Sequence, residues 1–186
     1  QVARMLLDAR ADMRLACHRG NGALHLAARG GHLAVVALLL EARAEPAARN
    51  ADGWSPLTWA AVAGRQDVVS ALVEAGAPVS LPDFRGRTPW MWAAASGCEG
   101  TLCALLATGP DLTLRDSEGL TVMDHARAHE HVVRAVARAE RRNFDLTDAA
   151  ARGSLKSVRR ALEAGALVNA RDAEGASALQ LAEAAG

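Results

Sequence analysis

Apolar positions come in pairs of short runs along this chain. An alanine-rich run such as residues 57–63 is followed, after a glycine, by a valine- and leucine-rich run such as residues 67–75. Each run has the length of a short helix, and Gly64 and Gly76 stand where such helices would end. The pattern predicts a local unit of turn, helix, turn, helix and turn.

The unit recurs at a fixed interval. Turn glycines lie 33 residues apart at Gly20, Gly53, Gly86 and Gly119. Such a period indicates stacked supersecondary units. The next turn glycine, Gly175, lies 56 residues after Gly119, and 56 equals 33 plus 23. One unit near residues 120–142 has therefore lost about ten residues.

The turns and the helix starts carry their own signals. An aspartate or asparagine lies three positions before four of the turn glycines, at Asn50, Asp83, Asp116 and Asp172. Such a side chain bonds nearby backbone N–H groups and the glycine accepts a positive φ, so each pair predicts a tight turn. Ser55-Pro56 and Thr88-Pro89 follow two of these turns. A hydroxyl at the N-cap with proline in the first helical position favours a helix start.

The same sequence pattern, which we call the frame of the repeat, occurs several times along the chain. It appears as "GWSPLTWAAVAG" (53–64) and "GRTPWMWAAASG" (86–97), and in longer form as "ALHLAARGGHLAVVALLLEARA" (23–44) and "AAARGSLKSVRRALEAGALVNARD" (149–172). In these segments the chain resembles the ankyrin-repeat family. The resemblance implies an all-α solenoid of stacked helix-turn-helix units, with β-turn fingers projecting from antiparallel helix pairs.

The period and the resemblance divide the chain into two sets of units. The first set, residues 1–142, contains a partial repeat 1–16, repeats 17–49, 50–82 and 83–115, and a degenerate shortened repeat 116–142. The second set, residues 143–186, contains a repeat 143–171 and a partial repeat 172–186. Because the first unit lacks a first helix and the last lacks a second, we expect the chain to be a slice of a longer array.

The shortened repeat departs most from the frame. It lacks glycine at both helix ends and lacks the turn before the next unit. Without these breaks we expect a shorter or merged helix, and no finger around residues 138–145. The charged segment "RAERRN" (138–143) is interpreted as a solvated connection.

Charge and cysteine content narrow the function classes. Lysine plus arginine and aspartate plus glutamate both number 21, so the formal net charge is zero. A nucleic-acid-binding chain usually has a basic excess, so we expect no nucleic-acid partner. The apolar run 33–40 is too short to cross a bilayer. Cys17, Cys98 and Cys103 are interpreted as buried or half-buried free thiols of an intracellular (cytoplasmic or nuclear) protein, which we expect to be a monomer.

Aromatic residues concentrate in two neighbouring units. Trp90 occupies the buried leucine position of the frame and is assigned to the core. Trp59 and Trp92 share one first-helix position, which the resemblance places in the concave groove. Tryptophan and arginine are the types most enriched in binding hot spots. The predicted partner-binding residues are Trp54, Trp59, Phe84, Arg85, Arg87 and Trp92.

Alternatives stay open for these residues and for the function. Trp59 and Trp92 are either exposed anchors for a partner or rings that pack sideways between neighbouring first helices. A predicted rim extends the surface toward the N-terminus through His18, Arg19, Asn21, Arg29 and Asp52. The predicted function is docking of a folded partner or an extended peptide. The alternative is a spacer or regulatory arm of a larger enzyme or channel.

The remaining residue types do not indicate chemistry. The resemblance implies that His25 and His32 bond backbone within the stack. His125 and His129 lie four positions apart, but no glutamate lies between them as in His-Glu-x-x-His, so we expect no metal site. Nucleophile-elbow and phosphate-loop motifs are missing from the sequence. We therefore expect no catalytic residue, no cofactor and no enzymatic activity.

Overall fold

Helices make up most of the chain that the computed structural model describes, which covers residues 16–168, 170–172 and 175–185. The ten helices of these described residues are α1 (Ala23–Gly30), α2 (Leu33–Glu41), α3 (Pro56–Val62), α4 (Gln66–Glu74), α5 (Pro89–Ala95), α6 (Glu99–Leu106), α7 (Val122–Ala126), α8 (Glu130–Ala151), α9 (Leu155–Glu163) and α10 (Ala178–Ala185). The predicted partial repeat 1–16 lies, apart from its last residue, outside the described residues.

The predicted helix starts at α3 and α5 are confirmed, since both begin at a proline. At α3 the Ser55 hydroxyl accepts the Thr58 N–H at 3.2 Å, as an N-cap side chain does. At α5 the Thr88 hydroxyl makes no cap bond, and it is buried with no hydrogen-bond partner among the described residues. Pro89 therefore sets this start without help from a side-chain cap.

Glycines end the first helices as predicted. Gly64 follows α3 with a φ of 67°, and Gly97 follows α5 with a φ of 72°. Arg43 takes the place of glycine after α2 and has a φ of 64°; no other non-glycine residue of the described chain has a positive φ. A side chain in this left-handed region costs about 1–2 kcal/mol, so the turn after α2 is strained.

The helices form two layers. First helices α1, α3, α5 and α7 pack against one another, and so do second helices α2, α4, α6 and α8. Contacts between neighbouring units are more extensive in the first-helix layer than in the second-helix layer. Units contact mainly their neighbours, as in other solenoids. The predicted all-α repeat architecture is confirmed.

The fingers form a ladder along one edge of the stack. The turn within a finger is closed by a backbone bond such as that from Gly53 N–H to the Asn50 carbonyl, at 3.0 Å. Neighbouring fingers are joined by single backbone bonds from Ala51 to Arg19, from Phe84 to Asp52 and from Ser117 to Arg85, with N···O distances of 3.0, 3.3 and 2.9 Å. This ladder fixes the fingers of four consecutive units relative to one another.

No finger separates the shortened repeat from the unit that follows. The 22-residue helix α8 joins the second helix of the shortened repeat to the first helix of the next unit. The predicted merged helix and missing finger are therefore confirmed. The interpretation of residues 138–143 as a connection is wrong, because they are helical and Ala139 and Asn143 among them are buried. The proposed boundary at 142/143 falls inside this helix.

Helix α8 belongs to two apolar clusters. Its first half contributes Val132, Val136 and Ala139 to the cluster that fills the units before it. Its second half contributes Leu146 and Ala150 to a smaller cluster with α9 and α10. The larger cluster also buries Trp90 completely, which confirms the assignment of this residue to the core.

We predict that truncating a core residue acts mainly on its own cluster. Leu57 and Leu146 are 0% and 2% exposed. Leu57→Ala and Leu146→Ala should each lower the free energy of unfolding by about 2–5 kcal/mol. Hydrogen exchange measured by mass spectrometry should accelerate around α3 in the first variant and around α9 and α10 in the second. Uniform acceleration along the chain in both variants would contradict this prediction.

Candidate functional site

Three of the described fingers are held from inside by an aspartate or asparagine. The Oδ1 atom of Asp83 accepts the N–H groups of Arg85 and Arg87, each at 2.9 Å. Asn50 and Asp116 accept the N–H groups two and four residues later in the same way. The predicted turn role of these residues is therefore confirmed. Their second side-chain atom remains for a bond outside the turn.

The second polar atom of Asp83 or Asn50 determines which side chain the N–H of the nearby tryptophan can bond. The Nε1–H of Trp92 donates to Asp83 Oδ2 at 2.9 Å. The equivalent partner of Trp59 would be Asn50, but the second atom of an amide is a nitrogen, which donates rather than accepts. Asn50 Nδ2 and Trp59 Nε1 therefore both donate to Asn21 Oδ1 in the preceding unit, at 2.9 and 3.0 Å. One buried amide ties two fingers to α3.

Trp54 lies between Trp59 and Trp92, and we call these three residues the indole stack. The centroid of the Trp54 ring lies 4.7 Å from each of the other two centroids, with interplanar angles of 64° and 57°. Tilted and edge-to-face contacts of this kind contribute about 0.5–1.5 kcal/mol per pair beyond the area they bury. All three side chains are half-buried. Trp59 and Trp92 thus each pack sideways against Trp54, the finger residue between them. Both keep part of their surface exposed to water.

Arginines close both ends of the indole stack. The Arg29 guanidinium carbon lies 4.9 Å from the Trp59 ring centroid, and that of Arg87 lies 5.1 Å from the Trp92 centroid. A cation in this position is attracted to the ring face. Arg87 Nε also lies 3.2 Å from Asp116 Oδ2. The ion pair between Arg87 and Asp116 therefore links the indole stack to the next finger.

Phe84 and Arg85 lie at the tip of one finger. Phe84 is 68% exposed, and the Arg49 guanidinium carbon lies 5.0 Å from its ring centroid. Arg85 is also exposed, and its carbonyl serves the finger ladder. The six predicted residues thus occupy two places. The indole stack and Arg87 lie between the fingers and the first helices, while Phe84 and Arg85 lie at the outer end of the fingers.

Asp116 is a buried carboxylate at the edge of this surface. Its side chain is 0% exposed, and Oδ2 lies 2.9 Å from His125 Nε2. Burial acts to raise the pKa of this carboxyl, but the N–H groups of Leu120 and Glu118 and the His125 ring outweigh it, so the pKa is lowered. Asp116 therefore remains ionised at neutral pH, where it faces Arg87.

A family model described as ankyrin repeats (three copies) matches residues 1–83 and again residues 46–116. Together these matches cover residues 1–116, which is more than half of the 186-residue chain. The chain belongs to the ankyrin-repeat family. A comparison with curated proteins finds no match. Ankyrin repeats are generally protein–protein interaction modules, and the family is typically a non-catalytic scaffold.

A nine-residue interval within the ankyrin frame marks a set of hydrogen bonds between rings and finger side chains that was not predicted. A ring with a polar N–H follows the finger residue by nine positions in three units, as Asn50 and Trp59, Asp83 and Trp92, and Asp116 and His125. In each unit that ring bonds a side chain at the base of a finger. The turn pattern predicts only backbone bonding for the finger aspartates, and it predicts no role for His125. The interval itself was the available signal.

The predicted N-terminal rim of the ankyrin surface is only partly exposed. Asn21 is 8% exposed and accepts two hydrogen bonds inside the stack, so its assignment to a binding rim is wrong. Arg29 is exposed and lies against the indole stack. His18, Arg19 and Asp52 are exposed.

The histidines serve the ankyrin stack separately. Backbone bonding is confirmed for His25, which contacts three backbone groups, but not for His32, which is exposed. His125 bonds the Asp116 carboxylate, whereas His129 Nε2 bonds a backbone carbonyl of α5. In the part of the chain that the structure describes, no group of three or more histidine, cysteine, aspartate or glutamate residues is placed to hold a metal ion.

The cysteines are free, but two of them are more accessible than predicted. Cys17 and Cys103 are exposed and only Cys98 is half-buried, so the prediction of buried thiols is wrong for the first two. Backbone N–H groups of Arg19 and Asn21 hold the pKa of Cys17 below its usual value. Partial burial raises the pKa of Cys103. Among the described helices, none has the length and apolar character needed to cross a membrane.

We predict different costs for removing the two bonded indole N–H groups. Trp92→Phe leaves an oxygen of a carboxylate without its donor and should lower the free energy of unfolding by about 1.5–3 kcal/mol. Trp59→Phe removes one of two donors from a neutral amide oxygen and should cost about 0.5–1.5 kcal/mol. Trp54→Phe is the control, because its Nε1 bonds no described group. Urea denaturation followed by circular dichroism gives the three values, and equal losses would contradict the assignment.

We also predict that Asp116 makes the protein less stable in acid. Because its folded pKa is lowered, its contribution is fully present above the unfolded-state pKa of about 4 and is lost as pH falls through the folded value. Asp116→Asn removes this titration and keeps the turn that Asn50 already forms. Unfolding free energies measured between about pH 7 and about pH 2 should fall less steeply in the variant than in the wild type. Parallel curves would show that Asp116 contributes nothing to the pH dependence.

Proposed function

We propose that this ankyrin array binds a partner protein or peptide on its concave finger and first-helix face. The observation that carries the proposal is the indole stack, which is half-exposed and already fixed by side-chain bonds and ring contacts. Immobilising a flexible side chain on binding costs about 0.5–1.5 kcal/mol, and rings that are fixed beforehand avoid most of that cost. Fixed, accessible aromatic rings favour binding.

The six residues of the proposed surface differ in what they offer. The indole stack offers ring faces and edges, because the N–H groups of Trp59 and Trp92 are already bonded. Phe84 adds an exposed ring at the finger tip. Arg85 adds an exposed guanidinium, which binds carbonyl or carboxylate acceptors, whereas Arg87 is already paired with Asp116 and Glu118 and adds its positive charge at the edge of the stack. The surface therefore fits a segment that presents an apolar side chain next to such acceptors.

The alternative role, a spacer or regulatory arm, is less well supported. A spacer gives no reason for an exposed phenylalanine beside an arginine on a projecting finger. Scattered exposed apolar residues need no explanation, but aromatic rings grouped with arginines are characteristic of binding surfaces. We also propose that the protein acts inside the cell, in agreement with its three free thiols.

We predict that exposed finger residues control binding without controlling stability. Peptides selected from a displayed random library against the wild-type chain should bind Phe84→Ala/Arg85→Ala at least about tenfold more weakly, which is about 1.4 kcal/mol or more. Fluorescence anisotropy measures these affinities. Thermal unfolding should be nearly unchanged, because both side chains are exposed.

The matched control is Ser70→Ala/Glu74→Ala, which changes two exposed residues on α4 in the second-helix layer. It should leave the selected peptides bound as in the wild type. If the finger variant binds as tightly as the control, the concave face is not the binding surface. If selection yields no binding peptide at all, the spacer role gains support.

A further inference from the structure

A second concave feature lies on the opposite side of the stack, where the unit between α6 and α9 is shortened. It is a cleft of about 770 Å³, bounded by α6, the middle of α8 and the loop after α9. The loop lies close to the exit of α6, because a Cβ on Gly109 would lie 3.9 Å from Leu167 Cβ. Leu167 N–H also bonds Asn143 Oδ1 of α8 at 3.4 Å. The loss of one connecting segment has thus opened a walled cleft.

The floor of this cleft is apolar and its rim is cationic. Leu106, Ala139 and Leu167 contribute apolar lining, while Arg138, Arg141 and Arg142 line it from successive turns of α8. Positions three and four apart share one side of a helix, so the three guanidinium groups lie on the cleft side together.

One distance and one electrostatic effect relate two of these cations to the cleft walls. Arg142 Nη1 lies 3.1 Å from the position that a Cβ on Gly165 would take, on the opposite wall. Across the cleft on α6, burial and the charge of Glu99 raise the pKa of Cys103, and Arg142 and Arg138 act in the opposite direction. Arg142 therefore approaches the opposite wall, and all three arginines remain exposed and accessible to a ligand in the cleft.

The three arginines have no carboxylate partner within ion-pair distance among the described residues, in contrast to their neighbours on α8. Arg134 pairs with Glu130, and Arg152, directly after the last residue of α8, pairs with Asp148. Glu99 and Asp145 are the acidic residues of the lining, so the cleft has a net positive charge. Like charges three and four positions apart on a helix repel one another, and a bound anion relieves that repulsion.

We propose that this cleft binds an acidic peptide segment, with an apolar side chain on its floor and carboxylates paired with Arg138, Arg141 and Arg142. A guanidinium binds a carboxylate through two parallel N–H···O bonds, which favours carboxylates over a diffuse negative charge. The apolar floor favours a peptide over a small inorganic anion, which offers nothing to cover it. This site is separate from the concave face proposed above.

The test measures the affinity of a fluorescent synthetic peptide of alternating glutamate and leucine for the full chain. Arg138→Gln/Arg141→Gln/Arg142→Gln should weaken binding by at least about tenfold, because each guanidinium loses a charged hydrogen-bonded partner. The control Arg152→Gln/Arg159→Gln/Arg160→Gln removes the same charge from exposed positions of α8–α9 outside the cleft lining, and should change the affinity by roughly twofold or less. Arg142→Gln alone is a second variant, should the triple variant not fold.

Cysteine alkylation locates the bound peptide. Saturating peptide should slow the reaction of Cys103, which lines the cleft, and leave unchanged the reaction of Cys17 on the first finger. Mass spectrometry of the two cysteine-containing fragments measures both rates in one sample. Unprotected Cys103 at saturating peptide would overturn the proposal.

Other outcomes also overturn it. Equal weakening by the two triple variants would show a general charge effect, and equal binding of a glutamine–leucine peptide would show that carboxylates are not recognised. Displacement of the peptide by inorganic triphosphate or by single-stranded DNA at equal concentration would indicate a phosphate or nucleic-acid site. Phe84→Ala/Arg85→Ala should bind the peptide normally. If that variant loses the peptide while the cleft variant keeps it, the peptide binds the concave face instead.

Discussion

Asn50, Asp83 and Asp116, the buried residues at the base of three fingers, each have two polar side-chain atoms, and both atoms need a partner. The first atom bonds backbone N–H groups of its own turn, and the second bonds another side chain. A buried polar atom without a partner costs about 1–3 kcal/mol. The second atom therefore restricts which side chain fits nine residues later. Asp83 accepts a hydrogen bond from the N–H of Trp92. Asn50 has no free acceptor for Trp59, whose N–H bonds Asn21 of the preceding unit instead. Fingers, first helices and the indole stack all depend on this restriction.

The repeating architecture was predictable because its signals are local. Paired Asx and glycine residues make a turn within four positions, prolines start α3 and α5, and glycines end them. The merged helix α8 was predictable from local signals as well, because no glycine or proline lies between Glu130 and Ala151 to break it. The charged segment 138–143 was misread because charge indicates contact with solvent, and a helix surface satisfies that as well as a loop does.

The candidate site was less predictable because its contacts join distant positions. Trp59 and Asn21 lie 38 residues apart, and residue type alone did not show that Asn21 is buried. Trp54 was predicted on a finger, but its place between two other rings depends on how two units stack. The arginine-lined cleft was not foreseen either, because it results from a segment that is missing. Its walls come from α6 and from the loop after α9, about sixty residues later in the chain.

The interruption of the finger ladder marks one end of a row of directly bonded fingers. The ladder runs without a gap from Arg19 to Ser117, and the next isolated bridge of the described residues, between Arg171 and Ser177, lies beyond the merged helix. Toward the C-terminus, the row of directly bonded fingers therefore ends where the array is shortened. The position of this end is set by the length of the shortened repeat, independently of which side chains the fingers carry.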